Sequence, residues 1–536
     1  MSLRCSRRFV PSLHKITAAL MLTLLPAATM AAQTATQPVF RVNTRIVILD
    51  VVVTDKKGNV VNNLKQDDFT VYEDKQLQTI RTFEPPSAHV MPPSPDGKPL
   101  VTSAADLPRI GNAPVTILVL DELNTAFSDM AFARQSLQKY LNAQPEILNQ
   151  PTALLVASNT KFQLLQDYTQ KRADVLSALK AHFPEYPWKM ANSGKSGPGA
   201  VERISQTLAS LLQIAEASRG TPGRKNIIWV GVNAPGVDLI NADPVTEQAV
   251  TSIVKRVTQT LLAARVTVFY IDPTINSSAT VGVMVPGDDS DSDTFVDTDP
   301  FGSDINFNEF APATGGKIFM SRNDVNNEIA TSIDNGASYY TLSYSPANHN
   351  EDASKYRNIK IKLSDPNLIA TTREGYYPEA DNANNMAADT TLDAKQRTGM
   401  LQLELSEAAL STLAYNGLAI TVQKSANKKT WRLTIASKGL TWSPQADGSQ
   451  STEITALAVA FDDSRNNSKG KYRTIGKSKM LGHIAHELTG ERKANDPASD
   501  AATFELPVVI PSGTSRLRFV VRDAVSGKIG TFDLKN

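Results

Sequence analysis

The stretch Val115 to Asp129 reads "VTILVLDELNTAFSD". An apolar run of strand type ends in Asp121, and Asn124 and Thr125 follow before a helical pattern begins. Oxygen donors grouped at the tip of a strand can hold a hard divalent cation such as Mg²⁺ or Ca²⁺. The same side chains can instead accept backbone N–H groups and cap the next helix, so Asp121 and Asn124 carry both readings.

Other chemistry-bearing stretches are weaker. "HIAHE" places His483 and His486 three apart with Glu487 after them. A zinc protease needs H-E-x-x-H, with two histidines on one helix face, so a plain surface segment is expected. "ANSGKS" at 191–196 lacks the glycine of a phosphate loop, since position 189 is Lys189. Aspartates at 288, 289, 291, 293, 297, 299 and 304 form an acidic loop. An EF-hand would need glycine at Thr294 and glutamate at Pro300, which leaves a solvated loop with room for weak Ca²⁺ binding. No G-x-S-x-G is present, and the surroundings of His89, His182, His349, His483 and His486 point to no triad.

These residues need elements to position them. Val/Ile-rich alternation over 38–84 predicts a β module. Residues 85–113 are Pro-rich without periodicity and read as a linker. From 114 to 336 strands alternate with helices, which predicts an α/β, doubly wound, mostly parallel sheet covered on both faces. Its helical signal includes Val201, Ile204, Leu208, Leu211, Leu212 and Ala215 on one face. Residues 337–378 are β segments expected to return to the first module, which has too few strands to stand alone. A polar linker at 379–397 and a C-terminal β-sandwich over 398–536 complete the chain.

"LVLDELNT" resembles the start of the von Willebrand factor type A fold, whose first strand ends in D-x-S-x-S. The resemblance implies a divalent-ion site in which Asp121 holds the aspartate position and Thr125 the second hydroxyl. Asn124 is an adjacent oxygen donor, and Thr207 is the nearest match for the threonine of a later loop. Leu123 stands where the first hydroxyl belongs, and no aspartate lies near Gly231 or Val232. The implied site is therefore degenerate, with at most weak Mg²⁺ or Ca²⁺ and no certain cofactor. "LDVVVTDKKGNVVNNLKQDDFTVYEDKQ", "LVLDELNT", "TPGRKNIIWVG", "ATGGKIF" and "YYTLSYSP" followed by "REGYY" occur in the order expected of the bacterial secreted von Willebrand factor A-related domain proteins, which the chain resembles.

The bounds fit an exported protein. Residues 1–32 read as a signal peptide: Arg4, Arg7, Arg8 and Lys15, then "ITAALMLTLLPAA", then small residues. The single Cys5 lies ahead of the apolar run, so the remainder has no disulfide or thiolate site. A formal charge of +1, partly owed to those four basic residues, argues against nucleic-acid binding. No later stretch is long and apolar enough to span a membrane. The expectation is periplasmic or extracellular recognition of a protein or surface ligand, without enzymatic activity. The binding face would be the carboxyl edge of the α/β sheet, at loops 121–129, 190–200, 231–243 and 273–312. A secreted hydrolase with an inter-domain site, or a structural envelope scaffold, is the alternative.

Overall fold

A computed structural model describes residues 46–94, 97–158, 162–184, 198–232, 234, 236–238, 244–274, 299–301, 304–320, 324–346, 355–378, 393–425, 430–463, 478–493 and 500–535. The signal peptide, residues 38–45, "ANSGKS", Asp288 to Asp297, His349 and linker positions 379–392 lie outside the described residues.

Alternate side chains of β1 (Val47–Asp55) enter a core: Val47, Leu49, Val51 and Val53 are buried, as the pleat of a strand requires. β2 (Phe69–Glu73), β3 (Gln76–Gln78) and β4 (Ile80–Glu84) follow. Asp74 and Lys75, with φ of 46° and 70°, make the two-residue turn between β2 and β3, a conformation whose twist matches the flanking strands.

The reading of 85–113 as a linker is corrected. The segment forms 3₁₀ turns at Pro86–His89 and Ala104–Ile110 and buries His89, Val101, Leu107 and Ile110. Its backbone is satisfied by side chains: Leu100 and Val101 N–H donate to Gln170 Oε1, and Ala104 N–H to Asp167 Oδ2. Irregular chain packed this way leaves no periodic trace.

β5 (Val115–Asp121) is buried along its whole length. It is followed by α1 (Phe127–Ala143), β6 (Ile147–Ala157), β7 (Phe162–Lys171), α2 (Arg172–Ala181) and α3 (Pro198–Ser218). Then come β8 (Lys225–Val230), β9 (Val237–Asp238), α4 (Pro244–Ala263) and β10 (Val266–Ile271). β11 (Asp304–Ile305), the short α5 (Phe310–Ala313), β12 (Ile318–Phe319) and α6 (Val325–Ala337) complete this region. The strands form one sheet in the order β12-β10-β8-β5-β6-β7. Ile117 and Val119 enter the core shared with α3 and α4, and Leu118 and Leu120 the core shared with α1, α2 and α6. Burial of each such side chain contributes about 1.5–3 kcal/mol.

β13 (Tyr340–Tyr344), β14 (Arg357–Leu363) and β15 (Leu368–Thr371) pair with the N-terminal strands, and β16 (Gly375–Tyr376) pairs with β14. One sheet runs β15-β1-β13-β4 and another β16-β14-β2-β3, both on a core that includes Leu49, Val71, Leu342 and Ile359. The C-terminal part opens with α7 (Ala394–Leu410), a helix where linker and then strand were expected. β17 (Ile420–Lys424), β18 (Thr430–Ala436), β19 (Ser443–Pro444), β20 (Gln450–Asp462), β21 (Lys479–Arg492), β22 (Ala501–Pro507), β23 (Arg516–Asp523) and β24 (Ile529–Lys535) follow. They make a three-stranded and a five-stranded antiparallel sheet around Leu433, Ile435, Leu506 and Phe519.

The expected fold class, an α/β doubly wound and mostly parallel sheet of von Willebrand A type, is corrected. Among the described residues the chain is β-rich, 39% strand against 30% helix. Among the described residues five of six sheets are wholly antiparallel. The sixth is mixed, because β6 and β7 are joined by residues 158–161 alone and pair antiparallel. So short a connection cannot make a parallel crossover. Alternation between 114 and 336 described one sheet and was extended to a class that the other five do not share.

Candidate functional site

Asp121 ends β5 at the middle of the mixed sheet, with β6 and β8 as neighbours. Its side chain is wholly buried, and every hydrogen bond it accepts comes from nitrogen. Oδ1 accepts from the backbone N–H of Leu123 at 3.1 Å and of Asn124 at 3.0 Å. Oδ2 accepts from Asn124 Nδ2 at 2.9 Å and from the indole Nε1 of Trp229 at 3.1 Å. Burial pushes the carboxyl up to about 6, while these hydrogen bonds pull it down.

The other predicted ligands join the same network. Asn124 Nδ2 also donates to Thr207 Oγ1 at 3.1 Å, and Thr207 Oγ1 donates to the carbonyl of Arg203 at 2.8 Å. Thr125 lies two residues before α1, and its Oγ1 accepts from Val232 N–H at 2.8 Å. Leu123 is buried. Thus Asp121, Asn124 and Thr207 are directly linked, and Thr125 ties the same turn to the end of β8.

Gly231 sets the shape of this end. A Cβ there would lie 2.4 Å from Asp121 Cβ and 2.6 Å from Thr125 Oγ1. The position that a further carboxylate would need is therefore closed by contact. Tyr270, buried under it, donates its hydroxyl to the Gly231 carbonyl at 2.5 Å.

These residues do not fit a divalent ion. Each Asp121 oxygen already accepts two N–H bonds, and a cation would have to displace these donors. Among the described residues no group of three or more histidine, cysteine, aspartate or glutamate side chains is placed to hold a metal. The network is a hydrogen-bonded base rather than a ligand cage.

Two further features lie at this end that sequence spacing could not reveal. Glu122 is buried, with its carboxylate 2.9 and 3.1 Å from His182 Nε2 and 3.7 Å from Arg134. Phe127, at the start of α1, and Phe183, beside His182, are 63% and 68% exposed. Exposed phenylalanines were visible as residues, but their placement at one end depends on the Glu122–His182 contact across sixty positions.

Other candidates resolve into structure. His483 and His486 lie on strand β21, at odd and even positions that face opposite sides of the sheet. One cluster combines histidine, hydroxyl and carboxylate: His89 Nε2 is 3.2 Å from Thr341 Oγ1, which donates to Asp50 at 2.9 Å. His89 is 1% exposed and stacked on Tyr339 at 4.3 Å. Asp50 is paired with Arg265, and burial pushes the histidine down. A substrate has no access to this hydroxyl, so it does not form a hydrolytic site.

No family model and no curated protein matches the chain. Two solved structures are similar to parts of it. Proximal thread matrix protein 1 of the mussel byssus is 13% identical, with 30% of this chain and 38% of that one covered and a TM-score of 0.20. The human COPII-coat protein Sec24c is 11% identical, with 56% and 50% covered and a TM-score of 0.24. The chain thus spans half or less of the proteins it matches, at similarities too low to carry an argument about fold or function.

Proposed function

We propose that this chain is an exported recognition protein that binds a protein or cell-surface ligand at the carboxyl edge of its mixed sheet, without a metal ion. The observation that carries this reading is the presence of two exposed phenylalanines, Phe127 and Phe183, at the end where Asp121, Thr125 and Thr207 are tied into a hydrogen-bonded base. Exposed aromatics on a rigid support are typical anchors in protein interfaces. The segment order in residues 1–32 and the five motifs shared with bacterial secreted proteins support a place in the periplasm or outside the cell. No helix among the described residues is long and apolar enough to cross a membrane. The near-neutral charge argues against nucleic acid as the partner.

The test is affinity capture from the native envelope, with the chain and a Phe127→Ser, Phe183→Ser double variant as parallel baits. A partner retained by the first, lost with the second and unaffected by EDTA supports the reading. Retention by both baits, or elution by EDTA, defeats it.

A further inference from the structure

A cavity of about 200 Å³ lies over the amino half of the mixed sheet, away from the carboxyl edge, where the segment 412–416 crosses from α7 to the C-terminal sheets. Its walls are mostly apolar: Ile117, Ala153, Leu155, Leu164, Ile214 and Leu413 line it. The crossing segment is fixed at several points. Thr412 Oγ1 donates to the carbonyl of Phe162 at 3.1 Å, Asn416 Nδ2 to that of Ala217 at 2.9 Å, and Tyr415 N–H to Thr531 Oγ1 at 2.8 Å. Two layers of the protein therefore hold the space open between them.

The charged groups on the lining are already engaged. Lys225 Nζ donates to the carbonyls of Thr221, Gly223 and Ala264 at 2.5, 3.0 and 2.9 Å, which uses all three of its N–H bonds. Arg518 is clamped on Asp533 at 2.6 and 2.8 Å and donates to the carbonyls of Ala408 and Ser411. Asp167 accepts from the backbone N–H of Ala104 and of Tyr168. Water needs two to four polar partners to be held in a cavity, and these groups have few bonds left to give. An ionic ligand would have to displace these bonds.

We infer that this cavity is a binding site for a small, neutral, apolar molecule of about eight to ten non-hydrogen atoms, such as a one- or two-ring aromatic. Size sets the class: an apolar cavity of roughly 150 Å³ accepts benzene, and drug-sized pockets begin near 300 Å³. Preformed walls remove most of the ordering cost that a flexible site would impose.

The test uses toluene and indole as probes on the full chain, with glucose as the polar control, read by thermal unfolding and by titration calorimetry. Toluene and indole are expected to bind saturably and raise Tm, and glucose to do neither. Ala153→Leu fills the cavity from the sheet, and Ala414→Trp fills it from an exposed position of the crossing segment, where folding is least at risk. Each should weaken both probes by about tenfold or more, the loss expected when the occupied space is taken by side chain. Absence of binding by both probes at their solubility limits overturns the inference. So does binding that persists unchanged in a folded Ala414→Trp variant. Neither result depends on whether the carboxyl edge recognises a partner.

Discussion

The indole Nε1 of Trp229 donates to Oδ2 of Asp121 over 3.1 Å, joining two neighbouring strands at their carboxyl ends. Both residues are fully buried. The bond places an uncharged donor beside the carboxylate at the point where the sequence resemblance implies a cation. Asp121 is thereby a fastener for the turn 122–125 and for β8.

Removing the carboxylate should be costly. Asp121→Ala leaves the Trp229 N–H, the Asn124 amide and two backbone N–H groups short of an acceptor. A buried donor left without a partner costs about 1–3 kcal/mol. Partial access of water to the turn keeps the total near roughly 3 kcal/mol. Urea unfolding should show that loss, and a loss below about 1 kcal/mol would mean the network is not needed.

The carboxyl also gives stability a pH signature. Its folded value is raised to about 6 from an ordinary 3.8. Below the ordinary value both folded and unfolded chains hold the proton. As pH rises through the window up to about 6, the unfolded chain releases it first, so this group's contribution to stability falls and then levels off. The size is roughly 3 kcal/mol at most. Urea unfolding of the natural chain and Asp121→Asn at pH 4, 5, 6 and 7 isolates it: the natural chain should lose ground to the variant across that range. A difference that stays flat or moves the other way refutes the assignment.

Gly231 should tolerate no side chain. Gly231→Ala places a methyl against Asp121 and Thr125, and overpacking of this kind costs about 1–3 kcal/mol. Thermal unfolding measures the cost, and Trp229 fluorescence should change with it, because the Asp121 contact must shift. Gly231→Asp should likewise destabilise without creating Mg²⁺ binding.

A second buried charge tests how the C-terminal part is held. Glu404 on α7 accepts from Arg522 Nε on β23 at 2.8 Å and lies 3.0 Å from Arg256 on α4. Glu404 and Arg522 are both nearly free of solvent. Breaking such a pair from one side costs about 3–5 kcal/mol, because the remaining charge is stranded. Glu404→Gln should therefore lower urea stability by that order, and hydrogen exchange should show α7 losing protection before β5 does.

Much of the secondary structure was legible, and less of its arrangement. β5, β8 and β10 are buried along their whole length and mostly apolar, which is how strands covered on both faces read. The helix Ala394–Leu410 was missed because its polar start continues the composition of the segment before it and Gly399 interrupts its pattern. Segment 85–113 was misjudged because burial in irregular chain has no period. At the site, the turn "DELNT" announced itself, since Asp121 and Asn124 are local partners. Trp229 and His182 did not, because their contacts bridge 108 and 60 positions through the sheet and helices.

The central claim is that Asp121 serves the turn and Trp229 and holds no ion. Isothermal titration of the full chain with Mg²⁺, Mn²⁺ and Ca²⁺, repeated on Asp121→Asn, tests it most directly. The account predicts no saturable heat that the variant removes, for any of the three ions, up to about 1 mM, the weak end for extracellular Ca²⁺ modules. A site with a dissociation constant below about 10 µM that disappears in Asp121→Asn would contradict it, because such affinity needs oxygen donors free to face the ion.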